Sequence, residues 1–392
     1  MSKTLSSSLP LEGIRVLDFT SMVSGPYCTR LLADMGATVT KIESHTGDLL
    51  RYAAPQSESG SRYFQIFNAG KQSLTLDLKS SEGLAIAAEL AENSDIIVEN
   101  FRPGVLAGLG LGYDKLCTTN PSLIYCSISG FGQTGPMKDW PAYAPIVHAL
   151  SGFDSVFMQT QEAMDEPPIA SIQIADVVTG AFAFGAIQTA LVKQLRTGEG
   201  EYIDSTLIES AMTLISSDFQ VPQVPIKQKI TTYKAVKTSD GHVMPVIISD
   251  KAFQNLARII KPSWLEDSEL QNIPGRAARS EEIHTEIENW TKSHTSEECQ
   301  NTFMAVGVPC ASYPTPEQVL DNEHLKDRGT FSSLNDGASD FRINNAPFKF
   351  KNVDISIKSI APTLGEHSAT ILASLPGYSS ERIATLKQTK II

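Results

Sequence analysis

The chain lacks the features that mark several large classes of protein. Its five cysteines include no Cys-x-x-Cys pair, which favours reduced thiols over a disulfide framework. Its seven histidines show neither His-x-x-x-His nor His-Glu-x-x-His spacing, so we expect no metal site. Lysine and arginine total 32 against 44 acidic residues, a net charge of −12. Without a basic block, such a chain is a poor candidate for binding nucleic acid or an anionic membrane.

The apolar runs of the sequence also predict no targeting segment. The longest apolar run covers residues 177–192 and includes Thr and Gln, whereas a membrane span needs about 20 apolar residues. Residues 1–10 are Ser-rich with one Lys and have no apolar centre, unlike a secretory signal. Together with the reduced thiols, these features predict a cytoplasmic protein. A hydrophobic content of 41% in 392 residues predicts a large folded core.

Strand-length apolar runs alternate with helical patterns through the first half of the chain. The predicted strands are residues 14–19, 38–43, 73–78, 95–98 and 122–128, and the predicted helices between them include 27–35 and 81–92. Alternation of this kind is typical of an α/β fold with a mainly parallel sheet and helices on both faces. We therefore expect a Rossmann-like large domain.

The second half has a different character. Pro222 and Pro225 lie in a segment that resembles a linker, and residues 233–248 predict strands around a Ser-Asp-Gly turn. Residues 250–260 and 280–303 predict helices. We expect a large domain over 1–215, a linker over 216–230, a smaller α+β domain over 231–318, and a segment over 319–392 that packs back on the large domain.

Asp176 is the most informative acidic residue, because it opens the long apolar segment. A carboxylate at a helix start lies at the positive end of the helix dipole, near unpaired backbone N–H groups. It can cap the helix, which is worth about 1 kcal/mol, or act as a nucleophile that forms an acyl intermediate. As a metal ligand it lacks partners. The small residues over 180–186 allow close packing and fit a helix start in a crowded site.

A glycine-rich segment, Gly130-Phe-Gly132-Gln-Thr-Gly135, matches the dinucleotide-binding pattern and follows a predicted strand. That mechanism needs a helix directly after the glycines, so that the pyrophosphate meets its N-terminus. Here Pro136 follows, and helix-forming residues begin only at Pro145. The glycines are better explained as a tight active-site loop.

Two cations follow predicted strand ends or turns. Lys71 comes after Asn68-Ala-Gly70, and Arg102 lies in Asn100-Phe101-Arg102-Pro-Gly. Ligands of open α/β sheets bind at the loops beyond the strand C-termini. Each cation alone is equally explained as a solvated surface charge.

Taken together, the motifs resemble class III CoA-transferases over nearly the whole chain. The matching segments are 11–20, 24–26, 32–37, 41–43, 47–48, 68–77, 98–104, 129–136, 176–180, 197–200, 204–209, 307–309, 321–329 and 361–367. The resemblance implies a two-domain chain in an interlaced homodimer, with Asp176 as the catalytic aspartate. It also implies that Lys71, Asn100, Phe101 and Arg102 contact coenzyme A.

The same family contains α-methylacyl-CoA racemases, which need two acid–base groups. Where the racemases carry a His, this chain carries Tyr143, as the transferases do, and a phenol with a pKa of about 10 is a poor base. His148 lies five residues on, so a relocated base stays an open alternative. Val23 stands where formyl-CoA transferases carry Gln, and their glycine-rich covering loop is not visible near 226–233, which argues against oxalate or formate.

We therefore predict CoA transfer from an acyl-CoA donor to a free carboxylic acid, through anhydride and thioester derivatives of Asp176. The candidate oxyanion donors are uncapped N–H groups near the start of the Asp176 helix, backbone N–H groups of the Gly130–Gly135 loop, and the Tyr143 hydroxyl. No metal and no prosthetic group are expected, because each step exchanges one activated acyl group for another. A racemase, a nicotinamide oxidoreductase and a non-catalytic acyl-CoA-binding protein are the alternatives.

Overall fold

The computed structural model describes residues 9–161, 164, 166–168, 172–224 and 233–392. The chain divides into two compact units, a large one of Met1–Asp218 and Asp327–Ile392 and a small one of Phe219–Lys326. The small unit thus begins within the predicted linker and ends later than the predicted residue 318. Residues 225–232, including Pro225 and most of the segment expected to lack a covering loop, lie outside the described ranges.

The large unit is built on a parallel sheet. Its strands before the small unit are β1 (Arg15–Asp18), β2 (Thr38–Glu43), β3 (Gln56–Ser57), β4 (Gly60–Ser61), β5 (Gln72–Thr75), β6 (Ile96–Glu99), β7 (Ile124–Ser129) and β8 (Glu201–Thr206). Six of those in the described ranges form one sheet in the order β5-β2-β1-β6-β7-β8, with parallel pairing throughout. The α/β prediction with a parallel sheet is confirmed.

Helices cover both faces of this sheet. They are α1 (Ser24–Asp34), α2 (Arg62–Asn68), α3 (Ser81–Glu92), α4 (Val105–Gly108), α5 (Tyr113–Thr119), α6 (Ala144–Leu150), α7 (Phe153–Thr160), α8 (Ile174–Thr197) and α9 (Leu207–Thr213), with a 3-10 turn at Leu49–Tyr52. Successive strand residues point to opposite faces. Val16 therefore packs in one core with α1 and α8, while Leu17 packs in the other with α3 and α5.

Strand β8 was not predicted. It is the last strand in the sheet order, pairs with β7 from Glu201 to Thr206, and is mostly half-exposed. An edge strand of this kind carries polar residues, so its sequence lacks the apolar run that identifies the buried strands.

The small unit has its own sheet and core. Its elements are β9 (Val236–Lys237), β10 (His242–Pro245), α10 (Asp250–Ile260), α11 (Ile273–Ala278), α12 (Ser280–Thr291), α13 (Ser296–Ala305), β11 (Cys310–Ser312), α14 (Pro316–Leu320) and α15 (Glu323–Asp327), with 3-10 turns at Val221–Gln223, Pro262–Leu265 and Ser268–Gln271. The strands pair antiparallel in the order β11-β10-β9. The predicted helix over 280–303 is two helices, because a capping box of Thr295 and Glu298 starts α13.

The last part of the chain returns to the large unit. It forms a hairpin of β12 (Phe331–Asn335) and β13 (Asp340–Asn344), and then α16 (Ser368–Ala373) and α17 (Ser380–Gln388). Leu372 and Leu386 are buried in the core that also holds Ile86 of α3.

Helix α8 positions the candidate nucleophile. It has 24 residues, longer than the apolar run in the sequence, and is long and apolar enough to cross a membrane. A core helix passes the same test, and 39% of its apolar window is buried. It packs on α1. A Cβ at Gly180 would lie 2.5 Å from the Ser24 carbonyl oxygen, so this close approach requires glycine.

Candidate active site

A cavity of about 220 Å³ lies beyond the C-terminal ends of β1, β6 and β7. This is the edge at which open α/β sheets bind their ligands. Its lining residues are Ser21, Met22, Ser24, Asn100, Phe101, Arg102, Pro103, Ile128, Ser129, Gly130, Lys138, Trp140, Pro141, Ala142, Tyr143, Asp176 and Leu207. The fold thus brings together six of the eight predicted site residues.

Asp176 enters the cavity from the first turn of α8. The residue before that helix is Gln173, and no side-chain cap is formed there among the described residues, so Asp176 is not the N-cap. Burial raises the pKa of the Asp176 carboxyl to about 6, and a hydrogen bond from the Ser24 side chain acts in the opposite direction. In the part of the chain that the structure describes, Asp176 has no ion-pair partner. The carboxylate is therefore an anion held with little compensation, which favours reactivity over a structural role.

The charge of Asp176 also acts on the Tyr63 hydroxyl. Burial raises the pKa of Tyr63, and the negative charge of Asp176 raises it further. Within the described ranges, this buried hydroxyl has no hydrogen-bond partner. The sequence analysis missed Tyr63, because an aromatic residue in the first turn of a short helix looks like an ordinary packing position.

The loop after β6 forms one wall of the cavity. The Asn100 side chain is fixed to the loop after β1, because it accepts from Ser21 N at 2.9 Å and donates to Ser21 O at 2.7 Å. The Phe101 N–H donates to Glu99 Oε2 at 2.8 Å. Asn100 thereby aligns two loops, while Phe101 and Arg102 present exposed surface to the cavity.

Within the glycine-rich loop, Gly130 lines the cavity, whereas Gly132 makes its hydrogen bond within the protein. Gly130 lines the cavity, where a Cβ would collide with Ala142. Gly132 lies outside the lining; its N–H donates to Ser129 Oγ at 2.9 Å, and the next N–H, of Gln133, donates to Asp204 Oδ2 at 2.9 Å. The predicted contact of Gly132 with the ligand is therefore not supported, because its donor is used within the protein. The next helix begins at Ala144, in agreement with the argument against dinucleotide binding.

Lys71 lies away from the cavity, contrary to the predicted coenzyme contact. Its side chain is fully buried, and its Nζ donates to Asp18 Oδ2 at 3.0 Å, Asn68 Oδ1 at 2.9 Å and Pro26 O at 3.0 Å. The physical reason is Asp18, a completely buried carboxylate that requires a cation. Burial lowers the pKa of Lys71 to about 8.

The cavity has a second cation, Lys138, besides the predicted Arg102. Lys138 and Trp140, which follow the glycine-rich loop, line it together with Tyr143. The Tyr143 side chain is 63% exposed and stands directly before α6. Sequence reasoning missed Lys138, because a lone lysine in a loop carries no signal until the fold places that loop over the strand ends.

His148 lies outside the cavity lining and is completely buried. Its Nε2 accepts a hydrogen bond from Ala175 N at 3.1 Å, and burial lowers the pKa of its imidazole. A ring that is enclosed and occupied in this way does not suit the role of a relocated base.

A second and larger cavity, of about 830 Å³, adjoins the first beyond the ends of β1, β2 and β5. The two share Ser21 and Phe101, and His45 and Lys79 line the second. These two adjoining cavities, here called the groove, lie along the C-terminal edge of the sheet, and Asp176 lines the first of them. Its lining carries charges of both signs, with Arg102, Lys138, Lys41 and Lys79 on one side of the balance and Asp176, Glu43, Asp48 and Asp77 on the other.

The protein thus has an α/β fold with a cavity, lined by an acidic side chain, at the C-terminal edge of its parallel sheet. Residues 11–368 match the family described as CoA-transferase family III. The chain belongs to this family and is a CoA-transferase.

Two relatives and one solved structure illustrate the match. The chain is 33% identical to a succinate–glutarate CoA-transferase of Agrobacterium fabrum, over 96% of this chain and 98% of that one. It is 31% identical to a succinyl-CoA–L-malate CoA-transferase beta subunit of Chloroflexus aurantiacus, over 99% of each. A CaiB/BaiF family protein from Brucella suis superposes with a TM-score of 0.81 at 29% identity, covering 93% of this chain and 98% of that one.

Proposed function

We propose that the chain transfers CoA from succinyl-CoA to a second short carboxylic acid, with Asp176 as the covalent nucleophile. The observation that carries this proposal is the Asp176 carboxylate, which lines the cavity without an ion-pair partner in the described chain. The names of the two relatives support succinyl-CoA as the donor and a dicarboxylic acid as the acceptor.

The reaction proceeds by balanced acyl exchange. An Asp176 carboxylate oxygen attacks the thioester carbonyl, the C–S bond breaks, and a mixed anhydride and CoA thiolate form. The thiolate then attacks the aspartyl carbonyl and releases the donor acid, which leaves an aspartyl-CoA thioester. The acceptor carboxylate attacks the carbonyl of this thioester, the C–S bond breaks, and a second mixed anhydride and CoA thiolate form. The thiolate then attacks the acceptor's acyl carbonyl in that anhydride, which gives the acceptor's CoA thioester with the Asp176 carboxylate as the leaving group. Asp176 is regenerated, and no oxidant, nucleotide or metal takes part.

The protonation state of Asp176 fits this chemistry. With a pKa of about 6, the carboxyl is mostly ionised at neutral pH yet more basic than an exposed aspartate. Its place in the first turn of α8 sets it in the favourable field of the helix N-terminus. The anion is thus available without being quenched by a neighbouring cation.

The groove supplies a place for the coenzyme. We assign its thioester end to the cavity beside Asp176 and Tyr143, and its nucleotide end to the adjoining cavity near His45 and Lys79. Lys138 and Arg102 are the cations in the smaller cavity, and they suit phosphate or carboxylate groups. Tyr143 is proposed as a hydrogen-bond donor to the oxyanion.

We also propose that the chain works as an interlaced homodimer in the cytoplasm. Large apolar side chains are exposed on one face of α8, including Phe182 at 48%, Val192 at 55% and Leu195 at 82%. Apolar surface of this kind in a large soluble unit is commonly covered by a partner. Sedimentation at several concentrations, with a stable dimer expected and a monomer as the contradicting result, tests this part.

The decisive experiment incubates the enzyme with succinyl-CoA and a pool of carboxylic acids, and identifies the new CoA esters by mass spectrometry. In parallel, hydroxylamine is added with donor alone, and the peptide that contains Asp176 is examined for a hydroxamate. We expect new thioesters and a modified Asp176. Deuterium incorporated at the α-carbon without an acceptor acid would instead indicate a racemase, and an Asp176 peptide of unchanged mass would contradict covalent catalysis.

A further inference from the structure

The mechanism above gives no task to His148, a buried titratable side chain. His148 lies on α6, is completely buried, and is absent from the cavity lining. Its Nε2 accepts from the backbone N–H of Ala175 at 3.1 Å, and Ala175 is also completely buried. Ala175 directly precedes Asp176 in the first turn of α8.

This hydrogen bond replaces an ordinary helix cap. The first backbone N–H groups of a helix have no intrahelical acceptor, and a side chain at the N-cap usually accepts from one of them. Gln173, at the N-cap of α8, makes no such bond in the described structure. His148 therefore provides, from a separate helix, an acceptor for a donor that is enclosed in the protein.

The imidazole is held in one state by its surroundings. An Nε2 that accepts must be unprotonated, so the neutral ring carries its proton on Nδ1. The Phe153 ring lies 5.4 Å from the imidazole between centroids, on the following helix. His148 Nδ1 and Asp154 Oδ1 are both buried without a hydrogen-bond partner within the described ranges, and the charge of Asp154 acts on His148. This tautomer matches a cap better than a proton carrier.

We propose that His148 is a positioning residue for Asp176, which fixes the first turn of α8 through the backbone of Ala175 and so holds the carboxylate at its attack angle. The inference rests on the proposed function, because it assumes that Asp176 is the nucleophile. Loss of the bond frees a buried N–H and loosens the turn. A shift of about 1 Å at a reacting group can cost about 100-fold in rate, while the coenzyme contacts in the groove stay in place.

Two amide variants of different reach test this role. In His148→Gln, the amide oxygen stands the same number of bonds from Cβ as Nε2, whereas in His148→Asn it stands one bond closer. We expect His148→Gln to keep kcat within about threefold of the wild type, and His148→Asn to lose about 10- to 100-fold in kcat with KM for the acyl-CoA within about twofold. His324→Gln, an exposed histidine of the chain, is the matched control.

The pH profile gives a readout that a merely structural role would not change. Helices α7, α8 and α9 pack near α6, and they carry Asp154, Asp176 and Glu209 respectively; Glu209 is held by Thr206. Burial lowers the pKa of His148, while Asp154 acts in the opposite direction. At acid pH, protonation of His148 removes its Nε2 as an acceptor. The wild-type kcat should therefore fall as both His148 and Asp176 become protonated, whereas the kcat of His148→Gln should fall with the protonation of Asp176 alone.

The outcomes separate this inference from the proposed function. The positioning role would be overturned if the wild type, His148→Gln and His148→Asn had equal kcat, or if the two His148 variants lost kcat equally. Either result would count even if hydroxylamine still trapped Asp176. Failure to trap Asp176 in the wild type would overturn the proposed function itself. Should a variant not fold, hydrogen exchange at the wild-type Ala175 amide decides, because the bond predicts slow exchange and a rapidly exchanging amide contradicts it.

Discussion

Asp18 and Asp176 are two acidic side chains of the large unit whose environments differ sharply. Asp18 is completely buried, and burial alone would raise its pKa, but Lys71, Lys41 and the hydroxyls of Thr20 and Thr29 hold the pKa below its usual range. Asp176 is partly buried, and the Ser24 hydroxyl offsets its burial only in part, so its pKa rises to about 6. Surrounding charge thus makes one aspartate an inert anchor and leaves the other reactive.

Asp18 belongs to a network of hydrogen bonds and ion pairs at the C-terminal ends of β1 and β2. Its oxygens accept from Thr29 Oγ1 at 2.7 Å and Thr20 N at 2.9 Å, in addition to Lys71. Nearby, Lys41 Nζ donates to Asp48 Oδ2 at 3.0 Å and to Thr20 O at 2.6 Å. Because this network holds the loop over 20–24, the anchor shapes the wall on which Ser24 meets Asp176.

The largest expected effect separates the two aspartates by activity. Asp176→Asn removes the nucleophile, and we expect transfer to fall by at least about 1000-fold, since loss of a covalent nucleophile removes the chemical route itself. CoA binding, measured by calorimetry, should change little. Asp354→Asn, an exposed acid paired with Lys358, serves as the control and should retain full activity. Transfer by Asp176→Asn at the wild-type rate would exclude the mechanism.

The next effect separates them by stability. Asp18→Asn leaves Lys71 buried without its charge partner, and breaking such a pair costs about 3–5 kcal/mol of unfolding free energy. Urea unfolding followed by circular dichroism measures this loss. Asp354→Asn should change the unfolding free energy by less than about 0.5 kcal/mol, because exposed pairs contribute little. A comparable loss in both variants would show that Asp18 is not an anchor.

The sequence predicts features that depend on local apolar periodicity, and it does not predict pairings between residues far apart in the chain. The buried strands and α3 were predicted because apolar periodicity is local, and the predicted bounds of α3, 81–92, are those of the structure. Lys71 was misplaced because its partner, Asp18, lies 53 residues away, and no local pattern records a pairing across a sheet. Lys138, Tyr63 and Ser24 meet Asp176 or its cavity only after folding, for the same reason.

A third test uses the pH dependence of stability. The folded pKa of Asp176, about 6, lies above the ordinary aspartate value of 3.8, so its contribution to stability is most favourable below pH 3.8 and is lost as pH rises through 6. Above pH 6, burying the anion costs at most about 3 kcal/mol, from about two pKa units. Asp176→Asn should therefore be more stable than the wild type at pH 7, and the difference should vanish near pH 4. A stability gain that is independent of pH would point to packing instead.

The smallest expected effect tests what keeps the Asp176 pKa from rising further. Ser24 is 4% exposed, lines the cavity, and hydrogen-bonds to Asp176, so its hydroxyl favours the anion. In Ser24→Ala, the pKa of Asp176 should rise further, by up to about one unit, because a bond to the charged form is lost. The acid limb of kcat/KM would then move to higher pH.

Ser210→Ala is the matched control for this variant. Ser210 lies on α9, outside the cavity lining, and is 5% exposed. Its hydroxyl donates to Thr206 O at 2.7 Å. Its variant loses a buried hydroxyl but should leave the acid limb in place. If the acid limb of kcat/KM moves in both variants, the shift reports a general change in the fold. If it moves only in Ser24→Ala, the Ser24 hydroxyl accounts for part of the difference in pKa between Asp176 and Asp18.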